Sequence, residues 1–289
     1  MNFTFTVAKT AGFCWGVERA IKGAEGKRRK AGEPLLVLGH LVHNQIAVRD
    51  LEHQGVHVVQ HMEEARGNVL LITAHGRDPR EIEKARTIAS EVLDMTCPIV
   101  KDQHAAALAL QNEGRAMILI GTRSRAHPEV EGTVGVLKGA VTIVESRSDV
   151  EALLCPREQA IGVIAQTTFD NEKVIDLLRR ISERYPDTRY VSTICDDIAR
   201  KQMELRVRAG EFDTVIVVGD RQSANATHLA EIALHTLGKT TLFVLNEDEI
   251  DLAMIAEAEK ILVTAGASTP KSSITGVVKK LEEVGGIRF

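Results

Sequence analysis

The chain has 289 residues, 44% hydrophobic, 26% charged and 3% aromatic, with a net charge of −4. That predicts a soluble globular protein of two or three domains with an aliphatic core. No clustered basic stretch favours nucleic acid; no apolar run favours a membrane or a leader, so the cytoplasm is the expected compartment. The four cysteines, in such a compartment, read as thiols or metal ligands and not as a disulfide framework.

Taken in order, the chain opens with an alternating strand over 3–7, then Ala11-Gly12-Phe13-Cys14 and a helix. A strand at 35–38 leads into a polar loop at 39–44 with His43 and Asn44, a helix to about 52 and a short strand at 56–59. A strand at 68–73 ends in Ala74-His75-Gly76, and a charged helix follows to about 90. This order then recurs. A strand at 91–95 passes through Thr96-Cys97-Pro98 into a helix over 99–112. Next come a strand at 116–120, a loop over 121–129 with His127 and Glu129, strands at 140–144 and 160–164, Gln166-Thr167-Thr168 and a helix. On the third pass a strand at 189–195 ends on Cys195, and a helix runs to about 209. A strand at 214–218 precedes Ser223-Ala224-Asn225 and a helix to about 237; strands at 241–244 and 260–264, Ala265-Gly266-Ala267-Ser268 and a closing helix complete the chain.

The repeat divides the chain into three α/β units, 10–95, 96–193 and 194–289. In the first two, the last strand runs into the next cysteine. The third lacks such a strand, and the only spare one is 1–9, so the expected arrangement is a ring of three units closed by the N-terminal strand. Cys14, Cys97 and Cys195 then share one structural position, a strand-to-helix junction, where the helix N-terminus favours a thiolate by about 0.3–1 kcal/mol. Ligands of α/β units sit outside the carboxyl ends of the strands. That directs the three thiols to a centre collared by His43, Asn44, His75, His127, Glu129, Thr167, Ser223, Asn225 and Ser268. Small donors at helix N-termini suit an anion, phosphate above all. Three thiols could bind zinc or an iron–sulfur cluster, or could be small buried hydrophobes; spacing alone leaves these open. His53, His57 and His61 imitate a metal-binding helix, but Gly55 and the β-branched run after it break any helix there. Cys155 reads as a half-buried thiol outside the site, and Trp15 as packing beside Cys14.

The motifs Ala11-Gly12-Phe13-Cys14-Trp15-Gly16-Val17, Val42-His43-Asn44, Ala74-His75-Gly76, Thr96-Cys97-Pro98, His127-Pro128-Glu129-Val130-Glu131-Gly132-Thr133, Gln166-Thr167-Thr168, Thr193-Ile194-Cys195 and Ala265-Gly266-Ala267-Ser268-Thr269-Pro270 together resemble 4-hydroxy-3-methylbut-2-enyl diphosphate reductase, the IspH or LytB family. The resemblance covers nearly the whole chain. It implies three pseudo-threefold-related α/β units in a trefoil around a central [4Fe–4S] cluster, held by Cys14, Cys97 and Cys195 with one iron not ligated by cysteine. It further implies reductive dehydroxylation of that diphosphate to isopentenyl and dimethylallyl diphosphate in the methylerythritol phosphate route. Under it the substrate would lie among His43, His75, His127, Thr167, Ser223, Ala224, Asn225 and Ser268, with Glu129, Thr167 and His127 catalytic and a ferredoxin or flavodoxin as electron donor. Where the family pattern would have Cys-x-Ala-Thr, this chain has Cys195-Asp196-Asp197-Ile198, and Ala224 stands where serine or glycine is common. The alternatives are a paralogous cluster reductase acting on a related allylic substrate, or a non-catalytic diphosphate-binding protein.

Overall fold

The computed structural model describes residues 2–31, 35–123 and 127–289, with the backbone alone at 28–31. Part of the loop expected at 121–129 therefore lies outside the described residues. In chain order the elements are β1 (Phe3–Val7), α1 (Trp15–Ala31), β2 (Leu35–Leu38), α2 (Gln45–His53), β3 (Val56–Val59), β4 (Val69–Ile72), α3 (Pro79–Ile88), β5 (Glu91–Asp94) and α4 (Pro98–Asn112). They continue with β6 (Ala116–Ile120), α5 (Pro128–Val136), β7 (Val141–Val144), α6 (Arg147–Glu151), β8 (Ile161–Ala165), α7 (Asn171–Arg184), β9 (Thr188–Tyr190) and α8 (Asp196–Val207). Last come β10 (Thr214–Val218), α9 (Ala224–Glu231), β11 (Thr240–Val244), β12 (Lys260–Ala265), α10 (Lys271–Glu283) and β13 (Gly286–Arg288).

The strands form three parallel sheets, ordered β3-β2-β4-β5, β7-β6-β8-β9 and β11-β10-β12-β1-β13. A parallel strand covered by helices on both faces is apolar along its whole length. The runs Val-Leu-Leu-Ile in β4, Ile-Gly-Val-Ile-Ala in β8 and Thr-Val-Ile-Val-Val in β10 are accordingly buried throughout. Alternation shows only in which core each residue enters: Ile216 and Val218 pack with Phe5, Ile261 and Val277, whereas Val215 and Val217 pack with Leu205, Leu229 and Leu262.

The chain forms two compact units. One comprises Met1–Glu18, Val42–Asp50 and Asp196–Phe289 and contains the β1 sheet; the other comprises Arg19–Leu41 and Leu51–Cys195 and contains the other two sheets. The N-terminal strand pairs within the last sheet, Thr4 to Val7 in register with Lys260 to Val263. The sequence reading stopped at the closing helix and missed β13, which pairs with the other side of β1. Its three residues include Ile287 at 60% exposure, too short and too exposed to leave a pattern.

A second correction concerns the strand expected at 189–195, which ends at Tyr190. Beyond it the Thr193 hydroxyl takes over the ladder, bonded to the Ala165 N–H at 2.9 Å and the Ala165 carbonyl at 2.5 Å. A side chain replaces the backbone there, freeing the chain to turn.

The three sheets share one terminal device. Past the strands β5, β9 and β1, the cysteine N–H donates to a carbonyl in the loop after the neighbouring strand. Cys97 reaches Ala74 at 2.9 Å, Cys195 reaches Thr167 at 3.0 Å and Cys14 reaches Ala267 at 3.0 Å. Each cysteine then immediately precedes a helix, α4, α8 and α1 respectively.

Candidate active site

In the unit containing the β1 sheet, three stretches carry the expected anion donors. Asn44 is 1% exposed and caps α2, its Oδ1 accepting the N–H groups of Ile46 and Ala47 at 3.0 and 3.1 Å. The Asp220 carboxylate braces the same stretch by accepting the Gln45 N–H at 3.0 Å. Ser223 caps α9, its Oγ accepting from the Ala226 N–H at 3.4 Å. Ser268 Oγ donates to the His43 carbonyl at 2.8 Å and lies 3.3 Å from Ser223 Oγ. His43, Ser223 and Ser268 are thus brought together, and Ala224 opens α9, where an N–H finds no intrahelical acceptor.

Asn225, next in that turn, is 3% exposed, and neither its Nδ2 nor its Oδ1 has a hydrogen-bond partner among the described residues. The Nδ2 of Asn44 is likewise buried and unpartnered. Leaving such a group unsatisfied costs about 1–3 kcal/mol, so a buried, unpaired amide in the turn that follows Ser223 indicates a polar ligand. Asn225→Ala is expected to raise the KM for a diphosphate substrate about 10–100-fold while leaving the melting temperature unchanged or higher. Steady-state kinetics and a thermal melt check both halves.

In the other unit, Glu129 and Thr167 form the centre. Pro128 opens α5 with His127 as its cap, the imidazole Nδ1 accepting the Glu129 N–H at 3.3 Å, so the neutral ring carries its proton on Nε2. Glu129 is 2% exposed. The Thr167 N–H donates to its Oε1 at 2.5 Å, and Thr167 Oγ1 lies 3.0 Å from its Oε2. Burial lifts this carboxyl to about 7; the Thr167 N–H and hydroxyl, with the Gln103 side chain, pull in the opposite direction but do not overcome it. The His75 ring meets the His127 ring edge-on, centroids 5.8 Å apart. Gly132 allows α5 to lie this close, since a Cβ there would come within 3.3 Å of the Arg77 backbone.

All four cysteines are half-buried thiols outside any disulfide. Cys97 caps α4 with Pro98 as the first helical residue, and Arg19 steadies its approach by donating to the carbonyls of Met95 and Thr96 at 3.2 and 3.3 Å. The helix was expected to favour its thiolate; instead burial outweighs the Ile99 and Val100 N–H groups and pushes the thiol up, and the Glu129 charge adds to the rise. Cys155 packs beside the buried cluster around Phe169 and Tyr185. Trp15, expected to pack beside Cys14, is 57% exposed. Its N–H is taken by Asp197 at 3.2 Å, which fixes the backbone and leaves the indole outside.

Among the described residues, no three His, Cys, Asp or Glu side chains gather at the spacing of a single metal ion. Cys14, Cys97 and Cys195 each leave a strand end for a helix N-terminus, and a thiol is by its chemistry a ligand for soft, thiophilic groups.

The family of LytB protein matches residues 5–282. The chain belongs to the LytB family. Among its relatives, a 4-hydroxy-3-methylbut-2-enyl diphosphate reductase of Citrifermentans bemidjiense is 37% identical over 279 residues, covering 96% of both chains. That of Geobacter sulfurreducens is 35% identical, again covering 96% of both. Of solved structures, the E-1-hydroxy-2-methyl-but-2-enyl-4-diphosphate reductase from Plasmodium falciparum superposes with a TM-score of 0.93 at 26% identity, over 100% of this chain and 92% of that one. A second, (E)-4-hydroxy-3-methyl-but-2-enyl diphosphate reductase, the terminal enzyme of the non-mevalonate pathway, gives 0.68 at 30% identity, over 97% and 100%.

Within this LytB chain, the departures after Cys195 have local explanations. Ile198 is a core residue, 2% exposed. Burial opposes the charge on Asp197, but the Trp15 N–H, Arg200 and Lys201 together hold its carboxyl below the usual range, so the charge is compensated where it stands. The sequence reading missed Gln103, which is 1% exposed, donates from Nε2 to the Ala165 carbonyl at 2.6 Å and accepts from the Thr133 hydroxyl at 2.9 Å. A signal existed. Val100, Gln103, Ala107 and Leu110 form the buried stripe of α4, and a glutamine in an apolar stripe needs a polar partner.

Proposed function

We propose that this protein is a 4-hydroxy-3-methylbut-2-enyl diphosphate reductase: it adds two electrons and two protons to the substrate, releases the hydroxyl as water and yields isopentenyl and dimethylallyl diphosphate. The observation that carries the reading is the buried Glu129–Thr167 pair, whose carboxyl burial raises to about 7, so that it can hold and release a proton near neutral pH. A protein that merely bound a diphosphate would have no use for it. Cys14, Cys97 and Cys195 would hold a [4Fe–4S] cluster, which with one iron free of cysteine would supply the electrons and a place for the hydroxyl. The division into three α/β units, 10–95, 96–193 and 194–289 with strand 1–9, accords with this role because each sheet sends one strand to one of these cysteines.

The protein groups then have defined tasks. An N–H can only donate, so Oε1 of Glu129 remains an acceptor toward the Thr167 N–H and the acid proton resides on Oε2. The Thr167 hydroxyl donates to Oε2 at 3.0 Å when the carboxyl is ionised; once Oε2 carries the proton, the hydroxyl can turn to accept it and pass its own to a leaving hydroxyl. His43, His75, His127, Ser223, Ala224, Asn225 and Ser268 bind and orient the diphosphate and the carbon chain. A ferredoxin or flavodoxin delivers the electrons in the cytoplasm; no helix among the described residues is long and apolar enough to cross a membrane.

The test is anaerobic turnover of the substrate by iron-loaded protein with a chemical reductant and a mediator. Formation of both products supports the assignment, and loaded protein that forms neither overturns it. A pH profile probes the acid. Because the acid form is required, kcat/KM is expected to fall above about pH 7. Thr167→Val removes a hydrogen bond that lowers the carboxyl, so the limb should move to higher pH even as kcat drops; an unmoved limb would separate Glu129 from the step.

A further inference from the structure

The segment 8–14, which ends on Cys14, belongs to no helix or strand, and three of its N–H groups have backbone partners: that of Ala8 on Val263, that of Ala11 on Ala8 and that of Cys14 on Ala267. Four more of its backbone groups, the N–H of Lys9 and Thr10 and the carbonyls of Thr10 and Gly12, are met from one face of α8. Asp197, Lys201 and Glu204 stand there at i, i+4 and i+7, the spacing of a single helical stripe. The Glu204 carboxylate accepts the N–H of Lys9 at 2.8 Å, the N–H of Thr10 at 2.9 Å and the Thr10 hydroxyl at 2.8 Å. The Lys201 ammonium donates to the carbonyl of Gly12 at 2.8 Å and to that of Thr10. Asp197 accepts the N–H of Trp15, the residue after the cysteine, at 3.2 Å.

Lys201 is the unusual member, being 3% exposed. An ammonium is expensive to bury unless it is paired and hydrogen-bonded, and a helix that only needed to pack would carry an apolar residue there. What Lys201 supplies is direction: two carbonyls two residues apart are drawn to one point, which sets the path of the chain just before the thiol. A purely local role for Asp197 as a helix cap would not call for the other two side chains.

We propose that Lys201, with Asp197 and Glu204 beside it, is a positioning residue that fixes the Cys14 loop in the geometry needed for its thiol to hold the iron–sulfur group. This rests on the reading of Cys14 as a ligand given above. The stripe acts through the loop that carries the thiol.

The experiment compares wild type, Lys201→Met and Lys201→Arg in two states. On unloaded protein, hydrogen exchange is followed in the 9–15 segment and, as a control, in β10 and β12. On reconstituted protein, the paramagnetic resonance spectrum of the reduced group is recorded. Lys201→Met is expected to exchange about 10-fold faster or more in 9–15 alone, and to shift the spectrum. Lys201→Arg, which keeps charge and donors, restores both. Unchanged exchange or an unchanged spectrum in Lys201→Met overturns the proposal. Should that variant fail to fold, Glu204→Gln is read in the same way, because it weakens the grip on Lys9 and Thr10 without emptying the buried position. A wild type that takes up no iron overturns the ligand reading itself; the exchange rates, measured without the group, tell that failure apart from failure of the stripe.

Discussion

Glu129→Gln will keep its fold and its iron but turn over about 10²- to 10⁴-fold more slowly, the loss expected when a general acid is removed. The amide is nearly the same shape and can still accept the Thr167 N–H through its oxygen, so packing and orientation survive. It has no proton to release. The comparison is therefore one of chemistry at constant geometry, and KM should change far less than kcat. Retained turnover within a few-fold of wild type would remove Glu129 from the mechanism.

The same carboxyl leaves a mark on stability, with a sign fixed by its shift. Its value rises from 4.5 to about 7 on folding, so the native state holds the proton more tightly. That contribution is fully present below about pH 4.5 and is lost as pH climbs through about 7, amounting to roughly 3 kcal/mol by linkage. Glu129→Gln should abolish this slope, and thermal melts between pH 5 and 8 would reveal it. A parallel slope in both proteins would place the titration elsewhere.

Cys97→Ser is the second large effect expected, loss of nearly all bound iron and with it all measurable turnover. A serine hydroxyl is a poor ligand for a soft metal site and does not ionise near neutral pH. Its smaller oxygen still fits the α4 cap, where serine is a favoured residue, so folding should persist. Cys155→Ser is the internal control, because that thiol packs with the cluster around Phe169 and Tyr185. Iron content, colour and activity should fall in the first variant and hold in the second. Equal iron in Cys97→Ser and wild type would refute the ligand assignment.

What could be read from the residues and what could not follow a physical division. Buried parallel strands such as β4 and β10 announce themselves because both faces need apolar side chains. The cysteine junctions were readable because proline or a helical pattern follows each one directly. Local signals of this kind survive in one dimension. Thr193 standing in for a strand, Gln103 beneath the carboxylate and the charged stripe of α8 are different: each is defined by a partner distant in sequence, and nothing in its neighbourhood says what that partner is. The environment of Cys97 belongs with these, since a helix N-terminus is visible in sequence and the depth of burial that outweighs it is not.

The placement of β1 has a consequence for how the protein is made. This strand lies between β12 and β13, and its Thr4 hydroxyl reaches the carbonyl of Glu259, 255 residues later. At about 5–20 residues per second, a ribosome needs roughly 10–50 s to deliver that partner. For that interval Phe3 and Phe5, destined to be fully buried, remain without their sheet on the nascent chain. The two other sheets can assemble while translation continues, whereas this one closes only after β12 and β13 have been made. Slow, long-range closure of an apolar strand is the step at which aggregation and chaperone capture compete, and Cys14 follows that strand.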